Sequence, residues 1–269
     1  MCMSLGCNAA GVVGCRIIDS PRERLIAILS ASLMPCNGRF PILIAIAALL
    51  AGSASGAALL MTGLLVLCFF ATFFTSWILS HTMLRTEHSH VTLELPPYRL
   101  PRVGQVIVRS VFDRTLYVLG RAVIAAAPAG LLIWLLANIT VGGGSLLSHI
   151  SGVLDPIGRF FGLDGVIFTA FLLAFPANEI VLPLILMGYT SAAALGGGSM
   201  AEILQAGGWS ELTYVNMLLL TLFHMPCATT LLSIKKETGS LGYTLAAAVI
   251  PPVIGLALCA LSRFLFLLL

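Results

Sequence analysis

Five side chains of this 269-residue sequence are candidate metal ligands, and the most informative of them is Glu179. It is the one charged residue in the apolar run 166–189. A carboxylate at the centre of a bilayer costs about 2.5–3.5 kcal/mol, so a residue that remains there is a functional candidate by default. The structural alternative is a glutamate that is satisfied by Asn178 or by a helix end and binds no ligand.

His224 and Cys227 lie inside another apolar run, in the sequence His-Met-Pro-Cys. Residues three apart share a face if that run is one continuous helix. Pro226 would free a backbone carbonyl beside them. Imidazole, thiol, carbonyl and carboxylate groups together suit a borderline divalent metal ion better than an alkali cation. The alternative is that this histidine and cysteine only pack in the core.

The two remaining candidates, Cys7 and Cys36, each precede an asparagine, at the entrance and the exit of the N-terminal segment. The seven cysteines are an odd number in an apolar chain and do not predict a disulfide framework. Cys68 and Cys259 lie in Leu- and Phe-rich runs, where a thiol usually fills core volume. Cys7 and Cys15 are too far apart for a CxxC zinc site.

The composition indicates that lipid covers most of the protein surface. Hydrophobic residues make up 59% of the chain and charged residues only 9%, against about 25% in an average soluble domain. This excludes a cytosolic enzyme, a secreted disulfide scaffold and a nucleic-acid-binding protein. Neither of the two lysines follows a GxxxxG sequence, so these residues contain no P-loop, and we expect no enzyme activity and no permanently bound cofactor.

Apolar runs then predict an all-α, polytopic helical membrane protein. A span needs about 20 apolar residues, and residues 52–56, rich in Gly and Ser, predict a tight turn between the first two runs. The predicted runs are 40–51, which is short, 57–79, 119–139, 166–189, 212–233 and 243–269. The segments 140–165 and 190–211 are then loops.

The distribution of arginines predicts that the run 166–189 does not cross fully. Residues 1–39 and 80–118 are rich in arginine, which places both on the cytoplasmic side. A complete crossing by 166–189 would put the arginine- and lysine-free loop 190–211 inside and Lys235 and Lys236 outside. Pro176 and Pro183 interrupt the run, so we predict a re-entrant segment. A kinked but complete helix is the alternative.

A second re-entrant segment is predicted near the N-terminus, where residues 6–15 are small, apolar and too short to span. Two short, Gly- and Pro-interrupted segments in separate halves indicate a transport site where the halves meet. We therefore predict that all five candidates approach one polar cavity near mid-membrane: Cys7, Cys36, Glu179, His224 and Cys227.

Several strings together resemble the membrane half of the FeoB-type ferrous iron transporters, which carries two Gate (nucleoside-recognition-like) segments. They are GCNAAGVVGCRIIDSPRERL (6–25), PCNGR (35–39), ELPPYRLP (94–101), FPANEIV (175–181) and MPCATTLLSIKKETGS (225–240). The resemblance implies a multi-pass inner-membrane protein that moves Fe²⁺ into the cell. It also implies iron contacts at the cysteines of the GCN and PC strings, here Cys7, Cys36 and Cys227.

The sequence departs from the family pattern at three places near these strings. Ala9 and Ala10 stand where Val-Pro is usual, Asn178 where a lysine precedes the glutamate, and His224 where a tyrosine or similar residue precedes the PC string. These changes add potential metal ligands and remove a positive charge beside Glu179.

The resemblance also implies an organisation and partners. Residues 1–39 form a partial first Gate segment and a cytoplasmic connection, residues 40–118 a helical hairpin and the ELPPYRLP linker, and residues 119–269 the second Gate segment with C-terminal transmembrane helices. The expected partners are the lipid bilayer, Fe²⁺ and a GTP-binding domain, on a missing N-terminal part or a separate chain. Homo-oligomerisation stays open, and no nucleic acid is expected.

The alternative function is a Gate-domain membrane protein or scaffold that transports no metal. The thiols of Cys7, Cys36 and Cys227 disfavour it, because a nucleoside site would use Asn, Gln, Ser and aromatic side chains.

Overall fold

The computed structural model describes residues 2–82, 102–109, 111–112, 116–141, 144–193 and 199–268. Fourteen α-helices and one two-residue hairpin form within these ranges, which confirms the predicted all-α class. The hairpin pairs β1 (Thr140–Val141) with β2 (Gly144–Ser145) in antiparallel register. The ELPPYRLP linker at 94–101 lies outside the described residues, and the division at residues 39 and 118 stays a prediction.

The first six helices precede residue 110, with a 3₁₀ turn at Cys15–Ile17 after the second. They are α1 (Cys2–Gly6), α2 (Asn8–Gly14), α3 (Pro21–Ala31), α4 (Phe40–Ala51), α5 (Ala54–Thr82) and α6 (Val103–Arg109). The other eight are α7 (Tyr117–Asn138), α8 (Leu146–Phe160), α9 (Gly165–Leu173), α10 (Val181–Ala193), α11 (Met200–Ala206), α12 (Glu211–Leu222), α13 (Ala228–Thr238) and α14 (Leu241–Leu268). A second 3₁₀ turn, Asn178–Ile180, precedes α10.

Helix boundaries follow from local capping residues. Gly52 ends α4 with φ of 63°, and its amide donates to the Ala48 carbonyl at 3.1 Å. This left-handed conformation costs glycine little because it has no Cβ. The turn predicted at 52–56 is therefore present but shorter, because α5 already begins at Ala54. Ser20, Asp164 and Ser210 begin α3, α9 and α12, and each side-chain oxygen accepts from a backbone amide three residues on.

The predicted interruption of the run 166–189 is confirmed, because α9 ends at Leu173 and α10 begins at Val181. The interpretation of 140–165 as a loop is wrong: it contains α8, which meets α9 at a bend of 108°. The helices can approach closely because Gly165 has no side chain, and a Cβ there would lie 1.9 Å from the carbonyl oxygen of Ser151. The segment 190–211 likewise contains α11.

Two groups of buried apolar residues hold the helices together. The larger joins α4, α5, α9, α10 and α12, with Ile46, Ile167, Ile185 and Met217 fully buried. The smaller joins α2, α3, α5, α13 and α14. Both groups include residues of the two long helices α5 and α14. The broken segments are therefore packed against these continuous helices, which fixes where their ends lie.

Two helices within the described residues are long and apolar enough to cross a membrane alone, namely α5 and α14; α8 and α9 qualify only as a bent pair. The outer face of α5 is apolar and aromatic, with Phe70 exposed by 71%, Phe73 by 62% and Trp77 by 59%. Such a face is stable only against lipid or another apolar surface. The chain is an all-α membrane protein.

Arginine contacts relate distant segments at the ends of these helices. Arg16 lies against Glu237 at the end of α13, with Nη2 2.6 Å from Oε1. Arg22 donates to the Ser80 carbonyl near the end of α5 at 2.9 Å. Arg263, near the opposite end of α14 from Leu241, donates to the Arg159 carbonyl at 2.7 Å.

Candidate functional site

Four interruptions of helical structure surround one cavity of about 430 Å³, which we call the cysteine cavity. The four breaks are Cys7 between α1 and α2, residues 32–39 between α3 and α4, residues 174–180 between α9 and α10, and residues 223–227 between α12 and α13. Each break contributes residues to the cavity wall. Irregular backbone at membrane depth is tolerated where it lines such a cavity or is buried in protein.

Four of the five predicted ligands line this cavity: Cys7, Cys36, Glu179 and Cys227. They come from the four different breaks, so the fold gathers side chains that are up to 220 residues apart in sequence. His224 is not among the residues that form the wall. Within the described residues, no three His, Cys, Asp or Glu side chains are close enough together to hold a metal ion jointly.

Cys7 and Cys227 occupy equivalent positions, because each is the N-cap residue of a short helix. The backbone of both is extended, with φ of −153° at Cys7 and −62° at Cys227. Neither thiol caps its helix in the described structure, and the Cys227 Sγ lies 3.3 Å from the Thr230 hydroxyl. The helices that they begin, α2 and α13, pack against each other. Both cysteines line the cavity, and the Cys227 sulfur also contacts the Thr230 hydroxyl there.

Backbone hydrogen bonds connect the breaks in pairs. The Asn37 amide donates to the Gly6 carbonyl at 3.2 Å, which joins the two Cys-Asn sequences. The Ala228 amide donates to the Phe175 carbonyl at 3.0 Å, which joins the break of α9 and α10 to that of α12 and α13. The cavity wall is therefore held by hydrogen bonds between elements as well as by apolar packing.

Glu179 lies in the 3₁₀ turn before α10 and is exposed. Its Cγ lies against Gly38, where an added Cβ would be only 2.9 Å away. The amide of Asn178 has no hydrogen-bond partner among the described residues, so it does not satisfy this carboxylate. Glu179 therefore lies at the cavity wall beside the loop that holds Cys36.

The predicted common helical face of His224 and Cys227 is wrong. Helix α12 ends at Leu222, and residues 224–227, which include Pro226, are not helical. His224 is 3% exposed, and its Nε2 lies 2.9 Å from the Phe171 carbonyl oxygen. The centres of the His224 and Phe171 rings are 4.9 Å apart. The structure thus places His224 in the packed interior while Cys227 reaches the cavity.

Arg39 is a site residue that the sequence reasoning missed. The arginine distribution predicts a cytoplasmic charge at this position, yet Arg39 is 1% exposed. Its guanidinium donates from Nη1 to the Leu222 carbonyl at 2.9 Å, and from Nη2 to those of His224 at 2.6 Å and Met225 at 3.2 Å. These carbonyls are left without intrahelical partners where α12 ends. The available signal was its place just before α4, three residues after Cys36.

Two family models match adjoining parts of the chain. The model described as "Ferrous iron transport protein B C terminus" matches residues 61–113. The Gate model, described as "Nucleoside recognition", matches residues 119–241. This range includes the two cavity-lining breaks at 174–180 and 223–227, whereas the breaks that hold Cys7 and Cys36 precede it.

Curated relatives match nearly the whole chain, and those of three organisms bear the name "Fe(2+) transporter FeoB". The Staphylococcus aureus protein is 27% identical over 267 residues, covering 94% of this chain and 38% of the relative. The Synechocystis protein is 28% identical, and the alignment covers 93% of this chain and 40% of the relative. The Methanocaldococcus jannaschii protein is 24% identical, and the alignment covers 89% of this chain and 37% of the relative. No solved structure matches the chain.

The chain thus spans about two fifths of the length of the curated relatives that it matches. The family models follow one another along the chain without overlap, and the relatives align with residues on both sides of them. Over nearly its whole length the chain is thus similar to proteins named Fe(2+) transporter FeoB, and part of it matches the model of the ferrous iron transport protein B C terminus.

Proposed function

We propose that the chain carries Fe²⁺ across a membrane through the cysteine cavity, as the permease portion of a FeoB-type transporter. The single observation that carries this proposal is the meeting of three thiols and one carboxylate, from four helix breaks, at one cavity of about 430 Å³ in a membrane protein. The names of the curated relatives support Fe²⁺ as the transported ion.

The backbone arrangement suits transport. In many transporters the substrate site is formed by discontinuous helices near the bilayer midplane, where unwound backbone groups can contact an ion. Here Cys7 and Cys227 begin short helices, and Cys36 lies in the loop that precedes α4. A side chain at a break can move more readily than one in the middle of a helix, so the ligands can follow the ion.

The ligand types suit a borderline divalent ion that must be released again. Thiols favour softer metals, whereas carboxylates and water favour harder ones, and Fe²⁺ accepts both. Permeation needs binding strong enough to replace water yet weak enough to allow release. Cys7, Cys36, Cys227 and Glu179 provide a few exchangeable contacts for such a passage. His224 does not line the cavity. Its role as an additional ligand stays a prediction.

The proposal includes an inner-membrane location and a GTP-binding domain in another part of the protein or in a separate chain. In this scheme the described helices supply the path for the ion, and the GTP-binding domain controls its use. Homo-oligomerisation is left open.

The test is Fe²⁺ uptake into anaerobic proteoliposomes that contain the purified chain, driven by an inward Fe²⁺ gradient so that no nucleotide is required. Replacing Cys7 or Cys227 by Ser should lower the uptake rate about tenfold, the lower end of what loss of a contact at a metal site costs. The matched control is Cys259→Ser, because Cys259 is fully buried and donates to the Asn216 carbonyl at 3.4 Å, away from the cavity.

Equal uptake by the Cys7→Ser, Cys227→Ser and Cys259→Ser proteins, at matched amounts in the vesicles, would contradict the proposed path. Vesicles that take up a nucleoside but no Fe²⁺ would instead support the alternative function of a nucleoside-recognition protein.

A further inference from the structure

Two asparagines in the wall of the cysteine cavity have amide groups that the fold does not use. Asn8 is 2% exposed and Asn178 is 6% exposed, and both line the cavity. In each, both the amide nitrogen and the amide oxygen are buried and lack a hydrogen-bond partner among the described residues. Buried side-chain amides are normally hydrogen-bonded, so two such groups at one cavity require an explanation.

A third buried asparagine shows what a structural role looks like in this fold. Asn216 is fully buried, and its Nδ2 donates to the Phe161 carbonyl at 2.7 Å, which ties α12 to the end of α8. Its Oδ1 has no partner among the described residues, so one half of this amide is used and the other is not. Asn216 does not line the cysteine cavity. Asn8 and Asn178 make no comparable bond within the described structure.

The two amides also stand beside the proposed iron contacts. Asn8 follows Cys7 as the first residue of α2, and Asn178 precedes Glu179 at the start of the 3₁₀ turn. At each of these two breaks, a side chain that can carry negative charge is therefore paired with a neutral amide. An amide oxygen is a hard ligand, and an amide nitrogen can donate to a thiolate or to a water molecule of the ion.

We propose that Asn8 and Asn178 supply amide oxygens to the cation in the cysteine cavity, which makes it a mixed oxygen and sulfur site. This rests on the proposed function for the identity of the transported ion. Both residues line the cavity while their amide atoms are buried, so the proposed contact requires that the side chains rotate when an ion enters. Oxygen ligands favour a partly hydrated ion such as Fe²⁺ or Mn²⁺ over a strongly thiophilic ion such as Cd²⁺.

The experiment compares the affinities of the purified chain for Mn²⁺ and for Cd²⁺ under anaerobic conditions. Replacing Asn8 or Asn178 by Ala should lower the Mn²⁺ affinity about tenfold and the Cd²⁺ affinity by less than about twofold. Asn178→Asp should raise the Mn²⁺ affinity, since a carboxylate replaces a neutral oxygen of the same shape. The matched control is Asn138→Ala, because Asn138 is exposed and bonds the Trp134 carbonyl at 2.9 Å.

Selective loss of Mn²⁺ affinity, together with the gain in Asn178→Asp, supports the inference. It is overturned if the Ala variants lose both affinities equally, if they keep the Mn²⁺ affinity, or if the parent chain binds neither ion. Fe²⁺ uptake is measured separately: a parent chain that shows the selective pattern but takes up no Fe²⁺ would contradict the proposed transport and leave the amide ligands in place.

Discussion

Arg39 holds a charge in the protein interior, where its guanidinium donates to backbone carbonyl oxygens. Three of them, from Leu222, His224 and Met225, accept from its guanidinium. A hydrogen bond to a charged group contributes about 1.5–3 kcal/mol, and an unsatisfied buried carbonyl costs about 1–3 kcal/mol. The planar fork of arginine is suited to several acceptors at once, which a lysine cannot reproduce.

We therefore expect Arg39→Ala to lower the free energy of unfolding by about 3 kcal/mol. Arg39→Lys should recover only part of this loss. In both variants the loop 223–227 is less restrained, so Cys227 should react faster with a maleimide. The measurements are thermal unfolding in detergent and the rate of Cys227 labelling. An Arg39→Ala protein with parental stability and labelling rate would contradict the assigned role.

At this scale the sequence could predict the residues that reach the cavity but not those that hold its wall. Glu179 was identifiable because a lone charge in an apolar run needs a reason. His224 was misplaced because its assignment depended on a helix continuing through Pro226. Arg39 reads as a solvent-facing charge in the sequence, and only the end of α12, 183 residues away, shows which carbonyls accept from it.

At the scale of elements, the bend between α8 and α9 depends on glycines at the contact. A Cβ at Gly165 would lie 1.9 Å from the Ser151 oxygen and 2.8 Å from the Asp155 amide nitrogen. Both are backbone atoms, which cannot move aside as a flexible side chain does. Gly152 lies in α8, as Ser151 and Asp155 do, but a Cβ added there would have no atom within 4 Å.

We expect Gly165→Ala to destabilise the protein by at least about 2 kcal/mol, because the two helices must separate to admit the methyl group. The control Gly152→Ala should leave stability unchanged or raise it by up to about 1 kcal/mol, since alanine favours helix. Thermal unfolding of the two variants in the same detergent checks this. Identical midpoints for both would show that the bend tolerates a side chain at Gly165.

The sequence predicted the elements unevenly, and the reasons are local. Two prolines and a polar cluster marked the break of 166–189, so its position could be predicted. Helix α8 contains Gly, Asp and Pro, which are common in loops, and its apolar residues cover only one face. Its helical state becomes favourable when that face packs on α9, a contact that no local pattern reveals.

At the scale of the whole molecule, the arginine contacts agree with the charge distribution. Arg16 meets Glu237, and Arg22 meets Ser80, so the N-terminal segment, the end of α5 and the end of α13 lie at one side. Arg263 meets Arg159 near the far end of α14, a helix about 42 Å long at 1.5 Å per residue. Leu212 and Asn216 lie beside Phe161 and Gly162, so the start of α12 is at the same end as Arg159 and Arg263. We expect the end with Arg16 and Arg22 to be cytoplasmic and residues 199–211 to lie outside.

Labelling with a membrane-impermeant maleimide tests this orientation. Cysteines are placed at Gln205 in α11 and at Leu241 at the start of α14, both exposed positions. We expect Gln205→Cys to react in intact cells and Leu241→Cys to react only after the membrane is opened. Labelling of the parent chain is subtracted to remove the native thiols. Reaction of Leu241→Cys in intact cells would reverse the orientation, and protection of Gln205→Cys would mean that 166–189 crosses fully.

The three bonds of Arg39 also determine how the cavity can deform. They join the loop that holds Cys36 to the loop that holds Cys227, so these two sulfur-bearing loops behave as one stiff body. The opposite wall, residues 174–180, is tied to that body by the hydrogen bond from the Ala228 amide to the Phe175 carbonyl. Just before this wall, the Phe171 carbonyl lies 2.9 Å from the His224 Nε2. In the proposed transport, we expect the wall that holds Glu179, which these bonds restrain less, to yield more readily to the ion than the two joined loops. Substitutions in residues 174–180 should therefore change the rate of ion passage. Substitutions at Arg39 should instead change which ions the cavity accepts.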